Sequence, residues 1–180
     1  MNKLLNKANE IVEKNNLIFN YPHTQIFKKN KTNYECERHL KIFSEHKIIP
    51  KFCFNCYKVQ ITLSNVLELL KLYFYFNNLH LNESNIRKCI IELRNKVRGN
   101  YKGYIFCKSV IEAKKIKRTI QNDFNNNRIN VSKIEIKHGC TEYYEEFELY
   151  KNIEENFEKK IYQSKWNDIE KSYDKTNLTL

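Results

Sequence analysis

Residues 51–61, Lys51-Phe52-Cys53-Phe54-Asn55-Cys56-Tyr57-Lys58-Val59-Gln60-Ile61, carry two patterns at once. Tyr57, Val59 and Ile61 alternate with Cys56, Lys58 and Gln60, the two-residue period of a pleated strand. Cys53 and Cys56 form a C-x2-C pair at the entrance to it. Pro50 breaks the chain just before, so 51–61 is expected to be the first strand of a sheet.

Downstream, Thr62 or Ser64 is placed to cap a helix over about Ser64–Asn77, with Val66, Leu69, Leu70, Tyr73 and Phe74 as its core stripe. Arg87–Arg94 (RKCIIELR) alternates again: Cys89, Ile91 and Leu93 face one way, Lys88, Ile90, Glu92 and Arg94 the other. Gly99-Asn100 supplies a turn, and Lys102–Lys108 (KGYIFCK) is the third strand. Ser109-Val110-Ile111-Glu112 reads as a capping box that opens a helix with Ala113, Ile116, Ile120 and Phe124 on one side. Val131–Lys137 is the fourth strand, with Ile134 and Ile136 inward.

The order from Lys51 to Lys137 is therefore β-α-β-β-α-β, the split-βαβ or ferredoxin-like pattern. The expected fold class is α+β: an antiparallel sheet with two helices on one face, its first and third strands adjacent at the centre. Three regions follow: an N-terminal helical extension over 1–50, the core over 51–140, and an acidic, aromatic segment with a C-terminal helix over 141–180, all in one body. Met1–Phe19 carries Leu4, Leu5, Ala8, Ile11 and Val12 at helical spacing, and residues 23–33 read as a Lys/Asn-rich loop. Trp166, the single tryptophan, is expected to dock a helix over 151–173 onto the body.

Upstream of the first strand, Cys36 and His39 sit three apart on a short helix over Tyr34–His46, with thirteen residues between them and Cys53. C-x2-H followed by C-x2-C supplies three thiolates and an imidazole in two close pairs, the donor set of a tetrahedral Zn2+ site. Cys36, His39, Cys53 and Cys56 are thus the expected ligands of a structural zinc knot that clips the N-terminal segment to the sheet. A redox role for Cys53/Cys56 fits less well, because such pairs open a helix after a strand. His46 lies outside the spacing and reads as a surface residue.

The net charge is +11, from 32 basic and 21 acidic residues, which favours a polyanionic partner. The third strand is similar to the octamer of RNA-recognition modules at Lys102, Gly103, Tyr104 and Phe106, and departs from it at Ile105, Cys107 and Ser109. Alternation puts Tyr104 and Phe106 on the helix-free face, where bases can stack on them. Lys58, Lys88, Arg94, Lys102 and Lys108 are expected to neutralise phosphates nearby.

Of the remaining thiols, Cys89 and Cys107 read as buried small hydrophobes, while Cys140 reads as exposed and, with His138, as a nucleophile–base pair. No phosphate-binding glycine loop, H-E-x-x-H or G-x-S-x-G is present. Met1–Asn20 has no apolar core of a secretory signal and no run is long enough to span a membrane, so the expected compartment is the cytoplasm, with reduced thiols.

The phrases RHLKIF, IIPKFCFNCYKVQI, RKCIIELR, YKGYIFC and HGCTEYYEEF, from about Cys36 to Tyr150, resemble an uncharacterised cysteine-containing domain of marine cyanobacterial and phage proteins, sometimes found behind tetratricopeptide repeats. The resemblance implies a recurring module and carries no activity. The expected function is a zinc-stabilised, non-enzymatic module binding RNA or single-stranded nucleic acid. Two alternatives stand beside it: a thiol- or metal-dependent enzyme using Cys140 and His138, and a protein-interaction adaptor acting through its amphipathic ends.

Overall fold

Five strands form one antiparallel sheet in the order β1-β3-β4-β2-β5: β1 is His23–Lys29, β2 Tyr57–Leu63, β3 Arg87–Glu92, β4 Tyr101–Cys107 and β5 Val131–His138. A computed structural model describes residues 23–30, 32–81, 85–94, 97–154 and 161–177. The four core strands follow in the expected order, with β2 and β4 paired at the centre from Tyr57↔Cys107 to Leu63↔Tyr101. The expected helix over Met1–Phe19 lies outside the described residues.

Local sequence explains most of these elements. Helix α1 spans Cys36–His46 and α2 spans Val66–Asn78, where the Asn65 side chain, not Thr62 or Ser64, accepts the Glu68 N–H at 3.0 Å. Helix α3 spans Val110–Asn127 and opens on the expected cap, the Glu112 N–H donating to Ser109 Oγ at 3.1 Å. Glu112 answers by accepting the Lys108 N–H at 2.7 Å, one residue before the usual partner of a capping box. Helix α4 is Ser164–Asn177, and residues 148–151 form a 3-10 turn in place of the expected helix start.

Three expectations change. Residues 23–29 form a strand because their backbone pairs with β3, from His23↔Glu92 to Lys29↔Arg87. Residues 51–55 form a 3-10 turn, since the Cys53 N–H donates back to the Pro50 carbonyl at 2.9 Å, so the strand starts at Tyr57. The buried stripe of α2 is Leu69, Leu72 and Phe76, while Val66, Leu70 and Phe74 point outward.

Helices α2 and α3 cover one face of the sheet. Val59, Ile61, Cys89 and Ile105 meet Leu72, Phe76, Ala113 and Ile120 there, all fully buried. A second core lies where β5 leaves the sheet: Ile42, Ile49, Cys53, Phe54, Tyr143, Tyr150 and Trp166. Trp166 does dock α4, edge-on to Phe147 at 5.5 Å and Tyr162 at 5.7 Å.

Gly103 sits under α2, and a Cβ there would overlap the Leu72 side chain and press on the Phe76 ring. Both neighbours are fully buried and have nowhere to go. Gly103→Ala is expected to lower stability by about 1–3 kcal/mol, the usual range for overpacking, measured by urea unfolding. An unchanged midpoint would mean that α2 shifts freely on the sheet.

Candidate functional site: a basic groove on the open sheet face

Alternation sends Lys58, Gln60, Lys88, Lys102, Tyr104 and Phe106 to the face without helices. There they line a groove of about 650 Å3. Residues 97–99 close one end, and Gly139, Thr141, Glu142 and Tyr144 close the other. Tyr104 and Phe106 are half-buried in the floor with ring centroids 6.3 Å apart. Burial pushes the Tyr104 hydroxyl up to about 12, so it stays a neutral hydrogen-bonding group.

Seven basic residues line the groove (Lys58, Lys88, Arg94, Arg98, Lys102, Lys133 and Lys137) against three acidic ones (Glu92, Glu135 and Glu142). How each cation is held decides what it can do. Arg94 clasps Glu92 with two bonds of 2.8 Å, and the buried Lys102 lies 3.6 Å from the same carboxylate. Those contacts hold Glu92 well below the usual carboxylate range, the Arg94 hydrogen bond first. Lys133 and Lys137 share Glu135 at 2.7 and 2.9 Å. Lys58 is buried, donates to the Gly139 carbonyl at 2.9 Å and lies 5.2 Å above the Tyr104 ring. Lys88 lies 5.6 Å above Phe106. Among the described residues, Lys58, Lys88 and Arg98 make no ion pair.

Tyr104 and Phe106 stand on the open face, and Lys58, Lys102 and Arg94 reach the same groove. Lys102 and Arg94 are paired with Glu92, and Lys58 is turned inward to the Gly139 carbonyl. Lys108 is exposed outside the groove. Arg98, Lys133 and Lys137 were not singled out, although the alternation of Lys133, Glu135 and Lys137 with Ile134 and Ile136 contains the signal for two of them.

No family model, curated protein or solved structure matches the chain.

The expected zinc ligands do not share a centre. His39 is buried with its ring stacked on Phe52 at 5.3 Å, and burial lowers its pKa. Cys53 contacts the Tyr143 hydroxyl at 3.4 Å, and burial pushes the Cys53 and Cys56 thiols up to about 12. Cys36 is exposed and hydrogen-bonds to the half-buried Cys140 thiol, which lowers the Cys36 pKa. Among the described residues, no three His, Cys, Asp or Glu side chains gather closely enough to hold a metal ion.

His138 is sandwiched between Tyr57 at 4.8 Å and Tyr150 at 4.0 Å, and its Nε2 contacts the Asn152 carbonyl at 3.0 Å. Among the described residues its buried Nδ1 has no hydrogen-bond partner, and burial lowers its pKa. Cys89 and Cys107 are buried, as expected. Among the described residues no helix is long and apolar enough to cross a membrane.

Proposed function

We propose that the groove binds a single strand of nucleic acid, RNA foremost, with no chemical step. The observation that carries this reading is the pairing of two half-buried rings with unneutralised cations on one open sheet face. Tyr104 and Phe106 offer apolar planes to bases, and Lys88 and Arg98 take the phosphates that Lys58, Lys102 and Arg94 are not free to take. The strand order supports it as well: a ferredoxin-like sheet presents β2 and β4 at the centre of its open face, where the rings stand.

Stacking on an aromatic side chain contributes about 1–3 kcal/mol per base. Tyr104→Ala is therefore expected to weaken binding of a labelled oligonucleotide by roughly 5- to 150-fold in fluorescence anisotropy. Lys88→Gln is expected to reduce the slope of log K against log salt by about 0.7, one single-strand phosphate contact. Lys115→Gln, on the helix-covered side, is the control. Equal losses for Lys115→Gln and Lys88→Gln, with Tyr104→Ala neutral, would reduce the binding to unspecific charge attraction.

A second reading, docking of a protein, has its own observation. Leu67, Leu70 and Phe74 form an exposed apolar stripe on α2, on the far side of the sheet from the groove.

A further inference from the structure

Strand β5 ends the sheet on one side and pairs only with β2. Its backbone direction can be read from its exit. The Gly139 N–H donates inward to the Cys56 carbonyl at 2.8 Å, and the His138 N–H donates to the Tyr144 hydroxyl at 3.3 Å instead of to β2. Backbone groups alternate sides along an antiparallel strand. Those of Lys133, Glu135 and Lys137 therefore face β2, and those of Ile134 and Ile136 turn outward with His138. Among the described residues, no hydrogen bond reaches the outward groups of Ile134 or Ile136. Their side chains are unfinished in the same way. Ile134 and Ile136 pack on the first core yet stay half-buried, while Ile61 and Val59, opposite them on β2, are fully buried. The other edge strand, β1, is bent by a register break between Gln25 and Phe27. The break in β5 falls near its start, beyond Lys133, so the stretch from Lys133 to His138 is regular.

Charge says what fits this edge. Lysines on an edge strand usually deter pairing. Here Lys133 and Lys137 share the Glu135 carboxylate at 2.7 and 2.9 Å, which cancels much of the deterrent. The order Lys133, Glu135, Lys137 on one face also complements itself. In an antiparallel pair, residues directly opposite share a face, so a second copy can add in three registers. Centring on Glu135 sets two carboxylates against each other. Centring on Ile136 sets Ile134 against the partner's His138, whose N–H is already given to Tyr144. Centring on Ile134 sets Lys133 opposite the partner's Glu135 and Glu135 opposite the partner's Lys133. It also lays Ile134 on the partner's Ile134 and lets their outward N–H and C=O groups bond to each other.

We infer that the outer edge of β5 is an interaction surface for a second copy of this chain, joined antiparallel about Ile134 into one ten-stranded sheet. The contact is isologous, the same patch on both copies. Its two-fold axis stands perpendicular to the sheet, so both open faces look the same way. Lys133 and Glu135 line the groove as well, and the two grooves meet along the seam these residues form. The inference does not depend on what the groove binds.

The test is sedimentation equilibrium of the full chain. Each copy carries a net charge of +11, which opposes association, so the measurement is made near physiological ionic strength, where the screening length is about 8 Å. With rising concentration the mass is expected to climb from 21.9 kDa to twice that value. Glu135→Lys sets two ammonium groups opposite each other on both sides of the axis, and Lys133→Glu sets two carboxylates there. Each is expected to weaken the dimer roughly tenfold or more. An equimolar mixture of the two variants is expected to restore it, because every ammonium then meets a carboxylate. A merely destabilised strand would not be repaired by another chain's charge. Should either variant fail to fold, hydrogen exchange of the unaltered chain decides: the Ile134 and Ile136 amides should gain protection as the mass doubles. Five outcomes overturn the proposal. They are a single-chain mass at every concentration, a dimer that survives both substitutions, a mixture that stays monomeric, a dimer lost in Phe74→Ser but kept in Glu135→Lys, or a doubled mass with the two amides unprotected.

Discussion

Glu92→Ala is expected to lower the stability of the whole chain by about 3–5 kcal/mol, the usual penalty for leaving a buried charge without its partner. The Glu92 carboxylate is 1 % exposed and serves two cations of different freedom. Arg94 is exposed, so on losing its bonds of 2.8 Å it turns to water. Lys102 cannot: its side chain is 3 % exposed and lies under the groove floor, 3.6 Å from the carboxylate. Urea unfolding of three variants separates the effects. Glu92→Ala alone should be the least stable. Glu92→Ala with Lys102→Met should recover much of the loss, because the stranded ammonium is gone. Arg94→Gln should cost little. A Glu92→Ala midpoint close to the wild type would mean that Lys102 reaches water by another path. The pH dependence has a fixed sign. Arg94, then Lys102, hold the Glu92 carboxyl down to about 2 in the folded chain, below its unfolded value of about 4.3. Its contribution is therefore full above about pH 4.3 and lost as the pH falls through the folded value. Glu92→Gln should flatten stability over that acid window.

What the sequence revealed of this architecture follows from where the deciding forces act. The Ser109 cap and the Ala113, Ile116, Ile120 and Phe124 stripe were legible because both are local, within one or two helical turns. The face of α2 was not: Val66–Phe76 is apolar nearly all round, so its period alone cannot choose between Leu72/Phe76 and Leu70/Phe74. Strand β1 escaped notice because its state is imposed by β3. Ile26 and Phe27 are adjacent apolar residues at a break in register between Gln25 and Phe27, which hides the alternation. Phe52, Cys53 and Phe54 imitate a strand in composition while the Pro50 carbonyl folds them into a turn. The groove was half legible. Alternation alone puts Tyr104 and Phe106 on the open face, but which lysines are free depends on neighbours supplied by other strands. Cys36 and Cys140 are more than a hundred positions apart in the chain, and only the packing of α1 against the β5 exit joins them.

The same corner of the molecule sets the second large effect, at Tyr150. This side chain is fully buried, and its hydroxyl donates to the Cys53 carbonyl at 2.6 Å. Its ring stacks on His138 at 4.0 Å and meets Phe54 and Tyr143 edge-on, each at 5.4 Å. Tyr150→Ala empties the middle of an aromatic stack, so the loss should be about 3–5 kcal/mol, the range for removing a large core aromatic. Tyr150→Phe keeps the ring and strands only the Cys53 carbonyl, at about 1–3 kcal/mol. The ratio of the two tells how much of the second core is held by the ring and how much by the hydroxyl. Trp166, the single tryptophan, reports on this core alone, because its partners Phe147 and Tyr162 belong there. In Tyr150→Ala its emission should shift to the red at lower urea than the far-ultraviolet circular dichroism falls, since α2 and α3 keep the sheet core packed after the second core opens. Coincident transitions would make the two cores one cooperative unit. In that case the Cys53–Cys56 turn, bonded to both Tyr150 and the β5 exit, is the joint that couples them.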